Sequence, residues 1–137
     1  MKPRVLFLCT GNSCRSQMAE GFLRALGGNR FEAYSAGTKP AGVNPLTVEI
    51  MAEASIDISK QYSKTVQDLG NIEFDYLVTV CDNARQSCPM LLGNHKKLHW
   101  DLKDPADARG TKADQLAIFR EIREQIREYV TVFLKNK

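Results

Sequence analysis

The stretch "RVLFLCTGNSCRSQMAEGFLRALGG", residues 4–28, changes its hydrophobic period within a few residues. Residues 4–9 form a short, continuous apolar run, as expected of a strand covered on both faces. From Ser16 the apolar positions Met18, Phe22, Ala25 and Leu26 recur at helical spacing, and Gly27 and Gly28 supply a stop. The reading is strand, tight loop, helix, with Cys9, Cys14 and Arg15 at the seam.

The pattern repeats outward from there. "RFEAYSAG" (30–37) alternates like a second strand, and "NPLTVEIMAEA" (44–54) opens with an Asn44 cap and Pro45 at the first helical position. A shorter helix is expected over 63–70, a buried strand over 74–81 and a weaker strand over 96–100. The last helix carries Phe119, Ile122, Ile126, Val130 and Phe133 on one stripe, with Arg120 and Glu124 as a supporting pair on its polar face. Strands alternating with helices predict one α/β domain over residues 1–137: a four-stranded parallel sheet with helices on both faces.

The 137 residues are 43% hydrophobic and 26% charged, which suits one globular core. The net charge of +3 is too small and too evenly spread for a nucleic-acid stripe. Lys96, Lys97 and Lys103 read as a solvated face. The first apolar run is shorter than the about 7 to 15 residues of a signal peptide, and no segment approaches the about 18 of a membrane span. A cytoplasmic monomer with no nucleic-acid or membrane partner is expected. In a reducing compartment four cysteines point to catalysis, redox chemistry or metal binding rather than a permanent disulfide framework. No closely paired ligand spacing supports a metal, and His95 and His99 read as surface or strand-end residues.

In parallel folds, ligands bind beyond the carboxyl ends of the strands. Cys9 lies at such an end, and Arg15 follows six residues later. If the loop Thr10, Gly11, Asn12, Ser13, Cys14, Arg15, Ser16 curls, its N–H groups from about Gly11 to Arg15 converge on one tetrahedral oxyanion beside a helix N-terminus. Arg15 adds a planar fork for two anion oxygens. The same positive environment favours a nucleophilic thiolate, toward which Ser16 can turn its hydroxyl. A buried, inert Cys9 with a surface Arg15 is the alternative. Cys14 reads as a small packing residue.

With those residues in place, "FLCTGNSCRSQMAEG" (7–21) resembles the phosphate loop of low-molecular-weight protein tyrosine phosphatases, and more closely that of thioredoxin-coupled arsenate reductases of the same fold. The resemblance continues through "YSAG" (34–37), "IDIS" (56–59), "VTVCDNARQSCP" (78–89) and "HWDLKDP" (99–105). It implies reduction of arsenate to arsenite in arsenic detoxification, with Cys9 as nucleophile and Asp104 as proton donor. Cys81 and then Cys88 resolve the intermediate, leaving a Cys81–Cys88 disulfide for thioredoxin to reduce. Phosphate or sulfate would act as substrate mimics, and no tightly bound cofactor is implied. On its residues alone, Asp104 also reads as a cap for the last helical segment.

Two further expectations accompany the resemblance. If "CDNARQSC" (81–88) is helical when reduced, its cysteine Cα atoms stand about 10.5 Å apart, against the about 4.4 to 6.8 Å of a disulfide. Residues 81 to about 93 would then have to unwind. Some reductases of this kind hold potassium at positions matching Asn12, Glu20, Ser35 and Lys64. A lysine ammonium cannot ligate a cation but can replace one by pairing with Glu20 and fixing Asn12, so no potassium site is expected here; a plain surface lysine is the alternative.

The competing activity is hydrolysis of phosphomonoesters through a phosphorylated Cys9, as a weak side reaction or as the main one. Ala106 and Asp107 stand where the phosphatases typically carry tyrosines, which weakens an aryl-phosphate pocket. A redox-sensing module without turnover is a third reading, against which the Cys9, Arg15 and Asp104 set argues.

Overall fold

Four parallel strands form one sheet in the order β2-β1-β3-β4, where β1 is Arg4–Cys9, β2 Glu32–Gly37, β3 Tyr76–Thr79 and β4 Lys96–His99. The computed structural model describes residues 2–80 and 95–137. Its α-helices are α1 (Arg15–Gly27), α2 (Pro45–Glu53) and α3 (Lys112–Lys135). Strand β1 pairs with both β2 and β3, so the chain reverses its direction of travel across the sheet at β1. A crevice forms at such a switch point, beyond the strands' carboxyl ends. Cys9 stands at that end of β1.

Alternation along β1 sends successive side chains to opposite faces. Phe7 meets Trp100, whose ring stacks on Tyr129 of α3 at 5.0 Å, and Tyr76, in register with Val5, packs edge-on against Phe133 of α3. Tyr34, in register with Leu6, meets Phe74 on the other face. Among the described residues, α1, α2 and α3 contact one another, while the stretch through the 3-10 turn Gln67–Leu69 leads to Phe74. Val5, Leu6, Phe7 and Leu8 are fully buried, each worth about 1.5 to 3 kcal/mol of apolar transfer. Trp100 is thus a core residue under α3.

The helix ends follow their capping chemistry. Asn44 accepts from the Leu46 N–H, and Thr111 and Asp114 form a reciprocal capping box at α3. The α3 stripe from Phe119 to Phe133 is buried as its period requires.

Other expectations are corrected in detail. The helix expected over 63–70 is only the 3-10 turn Gln67–Leu69, because the backbone from Ser63 is drawn toward Asn12, and Gly70 takes a φ of 77° that ends any helix. Strand β3 spans Tyr76–Thr79 and β4 Lys96–His99, inside the 74–81 and 96–100 expected for them. Arg120 pairs with Glu53 of α2 rather than Glu124, through two bonds of 2.9 and 2.8 Å. Arg120, with Arg123 beside it, holds the Glu53 carboxyl down to about 2. Glu124 is taken by Arg123 and Arg127. No described helix is long and apolar enough to cross a membrane.

Candidate active site

The loop after β1 is held by its carbonyls. Thr38 N–H donates to Cys9 O, Lys39 N–H to Thr10 O, Ala41 N–H to Gly11 O and Asn44 N–H to Ser13 O, over 2.8 to 3.2 Å. The Asn12 carbonyl accepts from Ser63 Oγ at 2.6 Å and Gln17 Nε2 at 3.0 Å. A trans peptide points its C=O and N–H in opposite directions. Holding five successive carbonyls outward therefore turns the loop amides toward the cleft, where they form a positive nest. That cleft, of about 290 Å³, is lined by Cys9, Gly11, Ser13, Arg15, Lys39, Asp104 and their neighbours. The curl expected from the sequence is present, and Asn12 takes its left-handed turn at φ 48°.

Cys9 is a free thiol, 2% exposed. Its Sγ accepts from the Asn12 N–H at 3.1 Å and lies 2.9 Å from Ser16 Oγ. Ser16 Oγ also accepts from Asn12 Nδ2 at 2.8 Å, and with Cys9 as a thiolate, which can only accept, the Ser16 hydrogen points at the sulfur. Both contacts bear directly on the sulfur and fix its place at the floor of the cleft.

Arg15 is anchored rather than free, donating to Leu102 O at 3.0 Å and Val80 O at 3.4 Å. The remaining edge of its fork lies 3.5 Å from Asp104 Oδ2 at the cleft wall. Asp104 also caps a turn, accepting from the Ala106 N–H at 3.0 Å, but that turn is the 3-10 segment Pro105–Asp107. The last helix is capped by Thr111, so the capping of Asp104 is confined to that turn, while its Oδ2 faces Arg15 at the cleft. Cys14 is buried beside Thr47 and Ser13, and burial pushes its thiol up, which agrees with a packing role.

Behind the loop, Glu20 accepts from Ser35 Oγ and Arg24, and Lys64 Nζ lies 3.9 Å away. Lys64 is 7% exposed, which excludes the surface reading. Its ammonium donates to Tyr62 O at 2.9 Å and sits over the Tyr62 ring, while Asn12 is reached by the Lys64 backbone N–H at 3.1 Å. Asn12 is therefore fixed by the main chain and not by the charge. Burial pushes the Lys64 ammonium down, with Glu20 opposing and Arg24 reinforcing that shift.

Gln17, Gln61 and Ser63 were missed by sequence reasoning, yet they support the loop from behind. Gln17 carries a weak signal, a polar side chain one residue past Ser16 at the start of an otherwise apolar helix. Gln61 and Ser63 carry none, since their contacts cross more than 40 residues.

Cys81 and Cys88, with the unwinding expected between them, lie outside the described residues. Val80, one peptide before Cys81, donates its N–H to Leu8 O at 3.0 Å, one residue before Cys9. Among the described residues no three His, Cys, Asp or Glu side chains converge as a metal site would.

Comparison with known proteins agrees with this architecture. Residues 4–136 match the family described as low molecular weight phosphotyrosine protein phosphatase. The chain is 42% identical over 136 residues to an arsenate reductase of Oceanobacillus iheyensis, covering 98% of this chain and 97% of that protein. A solved arsenate reductase in the phosphate-binding state is 32% identical, with a TM-score of 0.78, over 99% of this chain and 98% of that one. A thioredoxin-dependent arsenate reductase of Corynebacterium glutamicum is also 32% identical, with a TM-score of 0.72, over 99% of this chain and 64% of that chain.

Proposed function

Because the chain belongs to the low molecular weight phosphotyrosine protein phosphatase family, whose loop chemistry centres on a cysteine, we propose that it reduces arsenate to arsenite by a three-thiol relay recharged by thioredoxin. The observation that carries the reading is the placement of Cys9 Sγ. It receives the Asn12 N–H and the Ser16 hydroxyl at the floor of a cleft bordered by Arg15 and Asp104.

Arsenate has the shape and charge of phosphate and enters the nest of loop amides, with the Arg15 fork turning from Asp104 to two of its oxygens. The Cys9 thiolate attacks arsenic, a sulfur–arsenic bond forms, and one oxygen leaves as water with a proton from Asp104. Cys81 then attacks the Cys9 sulfur. The sulfur–arsenic electron pair stays with arsenic, As(V) becomes As(III), arsenite leaves, and a Cys9–Cys81 disulfide remains. Cys88 attacks Cys81, frees the Cys9 thiolate and leaves a Cys81–Cys88 disulfide, which a thioredoxin dithiol reduces. The pairing of Val80 with Leu8 supports the second step, since it brings the chain to within one residue of Cys81 beside the end of β1.

The test is arsenate-dependent NADPH oxidation with thioredoxin and thioredoxin reductase, comparing the parent with Cys81→Ser and Cys88→Ser. Turnover in the parent, lost in both variants while slow aryl-phosphate hydrolysis survives, is the expected result. Absent arsenate turnover with brisk phosphatase activity indifferent to both substitutions would replace the reading with phosphomonoester hydrolysis through a phosphorylated Cys9. Asp104 beside the cleft supplies the proton that such a reaction also needs.

A further inference from the structure

A chain of amides runs from the surface to the back of the loop. Arg24 donates to Gln61 Oε1 at 3.0 Å, Gln61 Nε2 donates to Gln17 Oε1 at 2.7 Å, and Gln17 Nε2 donates to Asn12 O at 3.0 Å and Tyr62 O at 3.1 Å. Gln61 Nε2 also donates to the Gln17 carbonyl at 3.1 Å. Every amide in the chain has its orientation imposed by a partner that has only one role. The carbonyls of Asn12, Tyr62 and Gln17 only accept, and the Arg24 guanidinium only donates. Gln17 is fully buried, so both of its donated hydrogens are committed within the protein.

We infer that Gln17, held in orientation by Gln61, is a positioning residue that aims the Ser13 N–H at the bound oxyanion. The inference rests on reading the loop as an oxyanion cradle. The Asn12 carbonyl and the Ser13 N–H belong to one peptide plane and point in opposite directions. Asn12 is a non-glycine residue at φ 48°, a conformation that surrounding contacts must maintain. Pulling its carbonyl outward therefore sets the direction of the next N–H. Ser63 Oγ shares the carbonyl at 2.6 Å, so loss of Gln17 loosens this plane without releasing it. The N–H that serves Cys9 lies in the preceding peptide plane, whose Gly11 carbonyl is held by Ala41. Anion affinity and thiol reactivity are thus supported separately.

That separation gives the experiment. Alkylation of Cys9 by iodoacetamide, followed on the Cys9 peptide by mass spectrometry, is measured in the full-length parent, Gln17→Met and Gln61→Met over a range of inorganic phosphate concentrations. Loss of one hydrogen bond to a loop that binds a charged ligand is expected to raise the half-protecting phosphate concentration about tenfold in Gln17→Met. Gln61→Met, which leaves Gln17 in place but unaligned, should show a smaller rise and carries the test if Gln17→Met does not fold. Alkylation without phosphate should stay within about twofold of the parent, because the two hydrogen bonds to the sulfur are untouched. Equal protection in parent and variants, or a loss of reactivity that parallels the loss of protection, overturns the inference alone. No protection in the parent overturns the cradle reading and the inference with it.

Discussion

Lys64 reaches Asn12 through its backbone: its N–H donates to Asn12 Oδ1 at 3.1 Å, which leaves Asn12 Nδ2 facing Ser16 Oγ at 2.8 Å. A main-chain N–H can only donate, so the amide cannot turn over. The polarity of the row from Lys64 to Cys9 is set by that one bond. With Cys9 as a thiolate, the row ends with the Ser16 hydrogen on the sulfur.

Asn12→Asp tests this polarity with almost no change of shape. The carboxylate keeps the Lys64 N–H on one oxygen but accepts the Ser16 hydrogen with the other, withdrawing it from Cys9. A hydrogen bond to a charged group contributes about 1.5 to 3 kcal/mol, so kcat/KM for arsenate should fall roughly 10- to 100-fold. Steady-state kinetics within about twofold of the parent would contradict the row.

Gly37 at the end of β2 leaves room for the loop. A Cβ there would stand 2.6 Å from Thr10 O and 2.9 Å from Asn12 N, both main-chain atoms that cannot swing aside. Gly37→Ala is expected to shift the loop, lowering kcat/KM about tenfold or more at a stability cost of about 1 to 3 kcal/mol. Kinetics and urea titration of the same variant check both parts, and unchanged kinetics would show that the loop tolerates the methyl group.

Lys64 governs two responses. Arg24 and the Lys64 ammonium already balance Glu20, so exchanging sodium for potassium at constant ionic strength should leave turnover unchanged. Strong stimulation by potassium would overturn this. The folded-state value of Lys64 is lowered, so the unfolded chain binds more protons between that value and the unfolded one, about 10.4. Its burial penalty is fully present below the lowered value and fades as pH rises through the window. The stability of the parent relative to Lys64→Met should therefore increase as pH rises from the lowered value toward about 10.4 in urea titrations. A constant difference would refute it.

Much of this site is local in the chain, and that part is legible without a structure. Cys9, the loop and Arg15 lie within seven residues, and a strand ending before a helix start already points the loop amides at one place. The α3 stripe and the Asn44 cap are likewise decided by period and capping chemistry over a single turn. Long-range contacts are not written this way. The helix expected over 63–70 gives way because Ser63 and Lys64 bond to Asn12, about 50 residues earlier. Arg120 leaves its helical neighbour for Glu53 because α2 packs against α3.

The sequence by itself determined the alternation of strands and helices and the place of the proposed nucleophile Cys9 in one loop with Arg15, because each follows from side-chain period or from chemistry confined to one turn. Only the tertiary structure decided how the loop is held: Gln17, Ser63 and the Lys64 backbone converge on Asn12, and segment 38–44 takes up the loop carbonyls. Those bonds join residues whose separation along the chain says nothing about their distance in space. A buried polar group finds its partner only after packing has removed water as the alternative.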